Sequence, residues 1–138
     1  MHMVKKALVG LPAALVLLLG APGAAQADDG YVHCNASSND AGGDDCTVSF
    51  RDERNVLVSE AVFVAHGEHL YLRDHKADGR GIVVEIGALS RWWANTKGGG
   101  TVVEVPLPDI TEGQTLALKV CQTDDGNWLN CTIAYPTA

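Results

Sequence analysis

The chain is as informative for what it lacks as for what it contains. It has no apolar run of the roughly 18 residues that a helix needs to cross a bilayer. It has no Cys-x2-Cys pair, so its four cysteines, Cys34, Cys46, Cys121 and Cys131, do not read as a zinc site. It has no nucleophile elbow or other local signature of a catalytic triad. No segment carries a convincing helical apolar period, except at most a short turn at residues 88–95. Cations are also scarce. Beyond residue 27 there are eight Lys and Arg against 17 Asp and Glu, a net charge of −9. That balance excludes nucleic acid and anionic membrane as natural partners.

What is present begins with the first 27 residues. Lys5 and Lys6 precede an apolar stretch with Leu15-Val16-Leu17-Leu18-Leu19 at its centre, and Ala25-Gln26-Ala27 has the small-x-small form of a cleavage site. This is the pattern of a secretory signal peptide over residues 1–27, predicting a mature chain that starts at Asp28. No cysteine stands at the cleavage point, so no lipid anchor is expected. The product is expected outside the cell as a single domain, residues 28–138. An even number of cysteines in an exported chain reads as two disulfides.

Period-2 alternation dominates after Cys46. Val48 and Phe50, Leu70 and Leu72, Ile82, Val84 and Ile86, Val103, Val105 and Leu107, and Leu116, Leu118 and Val120 each mark one face of a strand. Residues 56–65 form a nearly continuous apolar run, suited to a strand buried on both faces. Leu129, Cys131, Ile133 and Tyr135 mark one face of the last strand. About seven short strands separated by Gly, Pro and Asp turns predict an all-β fold, an antiparallel immunoglobulin-like β-sandwich with two disulfides.

The last two strands pose a register question. A two-residue Asp125-Gly126 turn aligns the apolar faces but points Cys121 away from Cys131. A three-residue loop ending at Asn127 sets Cys121 opposite Cys131, with a poorer apolar alignment. A one-residue slip flips every side chain, so only one register is expected to hold. Four cysteines allow three connectivities. The second register is favoured, giving Cys34–Cys46 and Cys121–Cys131.

His66, Glu68, His69 and His75 lie close in sequence but match no metal-ligand spacing, and His69 falls on an exposed strand face with Tyr71 and Arg73. The acidic loops at Asp40, Asp44 and Asp45 and at Asp124 and Asp125 do not follow the spacing of a calcium loop. No catalytic residue, metal or cofactor is therefore predicted. The candidate binding residues are Arg91, Trp92, Trp93 and Trp128. Tryptophan and arginine are enriched at binding hot spots. Successive strand residues point to opposite faces, so a sandwich can bury only one of Trp92 and Trp93 in its core.

Two resemblances add to this. Arg91-Trp92-Trp93 is similar in composition to the Trp-Arg-Tyr tripeptide that secreted α-amylase inhibitors of streptomycetes present to their enzyme, although the order differs and this chain is longer. In plan, the mature chain resembles the small adaptor subunit of the umbrella toxin particles of streptomycetes: a signal, one sandwich domain, paired cysteines and no catalytic signature. That resemblance implies a bridge between a lectin subunit and a scaffold. No residue maps onto a family motif, so it carries no site. The expectation is a secreted, non-enzymatic adaptor that binds other secreted proteins. The alternatives are an inhibitor of an extracellular α-amylase or protease, and a carbohydrate-binding module.

Overall fold

The structure is a computed structural model that describes residues 28–138. The signal peptide expected at residues 1–27 lies outside the described residues. Among the described residues, nine strands form two antiparallel sheets: β1 (Asp29–Ala36), β2 (Asp44–Arg51), β3 (Leu57–Val64), β4 (His69–Asp74), β5 (Gly81–Ile86), β6 (Arg91–Asn95), β7 (Thr101–Pro106), β8 (Leu118–Asp124) and β9 (Asn127–Ala134). The five-stranded sheet runs β1-β2-β3-β4-β7 and the four-stranded sheet β6-β5-β8-β9. The chain crosses between them after β4, β6 and β7.

The alternating residues do what their period requires. Val48, Phe50, Ala61, Phe63, Leu70 and Leu72 of one sheet are buried with Ile82, Val84, Ile86, Leu118 and Val120 of the other in one core. Each large apolar side chain fully withdrawn from water is worth roughly 1.5–3 kcal/mol. Both disulfides, Cys34–Cys46 and Cys121–Cys131, are formed. They are consistent with an oxidising, extracellular compartment.

Four expectations are corrected. β1 adds a strand because all eight of its residues are exposed and display no burial alternation. The short turn expected at residues 88–95 is confined to a 3-10 turn at Gly87–Leu89, and Arg91–Asn95 is strand β6. β3 is not buried on both faces; it alternates, with Glu60, Val62 and Val64 half-exposed on its outer side. In β9, Cys131 and Ile133 point outward while Leu129 pairs with inward-facing Gln122, so these residues do not share one face.

The last correction bears on the register question, where the expectation of a single register with a three-residue loop is overturned: both registers are present. Near the turn Asp124 pairs with Asn127 and Thr123 with Trp128; farther along, Val120 pairs with Thr132 and Leu118 with Ala134. A one-residue shift separates the halves between Val120 and Gln122. Asp125 (φ 46°) and Gly126 (φ 81°) make the two-residue turn, whose two central residues both need positive φ. Asn130 (φ 51°) is the extra residue of the bulge.

Candidate functional site

The outer face of the four-stranded sheet carries two of the candidate binding residues, Trp92 and Trp128. Across one row, Trp92 of β6 stands opposite Glu85, Glu85 opposite Lys119, and Lys119 opposite Ile133. The next row holds Ala94, Val83 and Cys121. Trp128 enters from the turn end of β9, opposite Thr123. Neighbouring strands are about 4.8 Å apart, so β6 and β9, the outermost of four, lie roughly 14 Å apart. The Trp92 and Trp128 ring centroids are only 6.3 Å apart, with planes at 71°. Both indoles therefore reach inward across β5 and β8. They form a roof over Val83 and Cys121, which face outward yet are 1% and 0% exposed.

The roof itself remains open to solvent. Trp92 is 62% exposed and Trp128 36%, and Ile133, opposite Lys119 on the same face, is exposed as well. Lys119 Nζ lies 5.4 Å from the centroid of Trp128 and 3.8 Å from Glu85 Oε2, so the charges on this face answer one another. Edge-on aromatic pairs are stabilised beyond their area alone, and a cation over indole adds to this. The result is a supported apolar patch rather than two loose rings.

The structure divides the predicted site residues. It brings Trp92 and Trp128 together. Trp93 stands opposite Val84 on the inner side and packs against the core. Arg91 is exposed at the sheet edge, opposite Ile86, and makes no ion pair among the described residues. Lys119 and Ile133 belong to the same face and were not singled out from the sequence. Period-2 parity could have found Ile133 once Cys131 was placed outward.

The histidines lie elsewhere. His69 Nδ1 is 3.2 Å from Glu104 Oε1, and Tyr71 Oη donates to the same oxygen at 3.4 Å. Arg73 donates to Glu60 at 2.9 Å, with His75 Nε2 3.3 Å from that carboxylate. These groups share the outer side of the five-stranded sheet and its rim. No group of three or more potential ligands is placed to hold a metal among the described residues.

An open cleft of about 590 Å³ at one end is lined by Asp28, Asp52, Arg54, Lys76, Asp78 and Arg80. Its charges are largely spent on each other: Lys76 meets Asp52 at 3.3 Å and Arg80 meets Asp28 at 3.1 Å. The Val56 backbone N–H, reinforced by the Arg54 N–H and Lys76, holds the Asp52 carboxyl below its ordinary range. No protein-family model, characterised protein or solved structure matches the chain.

Proposed function

We propose that this protein is a secreted, non-enzymatic protein-binding module, an adaptor of an extracellular assembly, that meets its partner through the Trp92–Trp128 face. The observation that carries this reading is the exposed indole pair, standing on a sheet braced by the Cys121–Cys131 disulfide. Aromatic anchors on a rigid support lose little entropy on contact. The angle of 71° between the rings favours a protein over a glycan, because stacking on successive sugars asks for a flat platform. The adaptor role draws also on the resemblance in plan to the umbrella-particle subunit.

Affinity purification of the tagged mature chain from its producer's culture medium tests the proposal. Wild type is expected to retain large secreted proteins, and Trp92→Ala to lose them. Stoichiometric inhibition of an α-amylase or protease would favour the inhibitor reading. Retention on a polysaccharide column, lost with Trp92→Ala, would favour a carbohydrate-binding module.

A further inference from the structure

We infer that Asn130 is the positioning residue of the aromatic face: its left-handed backbone keeps Trp128 against Trp92. The functional meaning of this rests on the reading above, but the geometry can be tested without any partner.

Residues three apart in a regular strand face opposite ways. Trp128 and Cys131 are three apart, yet both stand on the outer face. They do so because Asn130 is absorbed as the extra residue of the bulge, at φ 51°. Positive φ is costly for most side chains and least so for asparagine and glycine. The asparagine side chain holds the conformation from the other side. Its Nδ2 donates to Gln122 Oε1 at 2.7 Å, and the fully buried Gln122 donates to Asp28 Oδ2 at 2.7 Å.

The two halves of the hairpin are not equally free to slip. The Cys121–Cys131 bond fixes the half beyond the bulge. If the bulge is lost, the tip must move. The two-residue Asp125-Gly126 turn gives way to a three-residue loop, and Trp128 comes to lie opposite Asp124 instead of Thr123. By parity its indole then leaves the outer face. Trp92 loses its edge-on neighbour, Lys119 loses its ring, and Val83 and Cys121 lose their roof.

Two close edge-on indoles give an exciton couplet in far-ultraviolet circular dichroism, which reads this geometry directly. The couplet is expected in wild type and absent in both Trp92→Phe and Trp128→Phe. Asn130→Val, whose branched side chain opposes positive φ, should lose most of its amplitude while the Cys121–Cys131 bond still forms on peptide mapping. Asn130→Gly should keep it. Deletion of Asn130 should also keep it, because removing the extra residue leaves a regular ladder with Trp128 and Cys131 both outward. A full couplet in folded Asn130→Val overturns the inference. So does loss of the couplet in folded Asn130→Gly or in the folded deletion variant, and these two decide the matter if Asn130→Val does not fold. Partner loss by Trp92→Ala is a separate measurement, so the positioning role and the binding role stand or fall apart.

Discussion

Trp92 and Trp93 are adjacent in sequence and do opposite work. Trp93 packs against the inter-sheet core, whereas Trp92 is mostly open to water. Trp93→Ala is expected to cost about 3 kcal/mol in urea denaturation. Trp92→Ala should cost less, about 1 kcal/mol, for the loss of its edge-on pairing with Trp128. It should weaken partner binding by about 2 kcal/mol or more in calorimetry. A second residue-scale feature is Asp74, which stands opposite Ser59 on the inner side, both buried. Asp74 Oδ1 accepts from the Lys76 N–H at 3.1 Å, while Asp74 Oδ2 and Ser59 Oγ have no partner among the described residues. Burial first, with the Asp78 charge adding to it, pushes the Asp74 carboxyl above its ordinary value. The fold therefore disfavours the ionised form, and this contribution to stability is lost as pH rises from the unfolded value through the folded one. Asp74→Asn keeps an acceptor for Lys76 and removes the buried charge. It should raise stability by about 1 kcal/mol at neutral pH. The gain should vanish near about pH 3, where the acid is neutral in both states. Urea melts at the two pH values check the sign.

Elements differ in how plainly they announce themselves. Strands with one buried face, such as β4 and β8, carry their alternation in the sequence, and the core followed from it. β1 does not, because an edge strand with every residue exposed has no burial pattern to display. The β8–β9 pairing was legible as two conflicting signals, each physically sound. The Asp125-Gly126 turn governs the tip and the disulfide governs the rest, and only a bulge satisfies both. The contact of Trp92 with Trp128 was not legible, because it depends on the strand order β6-β5-β8-β9, a long-range fact. The same holds for Asn95 at the end of β6, which is fully buried. It donates to the carbonyls of Leu72 and Thr101 at 3.0 and 3.1 Å, and accepts from the Lys97 N–H and Thr101 Oγ1. It thus ties β6 to β4 and β7 of the other sheet. Asn95→Ala leaves these groups unpaired and should cost about 3 kcal/mol. In a thermal melt that is a fall of roughly 10–20 °C.

The molecule as a whole has two unlike faces. His69, Tyr71, Arg73, Glu60 and Glu104 share the outer side of the five-stranded sheet, with His33 on β1 and His66 and His75 in the adjoining turns. The tryptophan roof lies on the opposite sheet, with Lys119 and Glu85 paired and no histidine among the described residues of that sheet. Binding through the roof should then be nearly flat with pH across the range where imidazoles titrate. Its affinity should change by less than about threefold over a tenfold rise in salt, despite the net charge of the domain. Surface plasmon resonance over pH and salt series measures both, and a steep dependence on either would move the contact to the histidine-bearing sheet.

The two disulfides also govern the order in which the molecule can be made. Each joins neighbouring strands of one sheet, with cysteines 12 and 10 residues apart, and neither spans the sandwich. A chain emerging amino end first presents Cys34 and Cys46 together on the β1–β2 hairpin, long before Cys121 and Cys131 follow. The first bond can close while no wrong thiol is within reach, and the second needs only the last hairpin. Oxidation is thereby separated from collapse. What is left for the end is the non-local pairing of β4 with β7 and of β5 with β8, the step that high sequence separation makes slow.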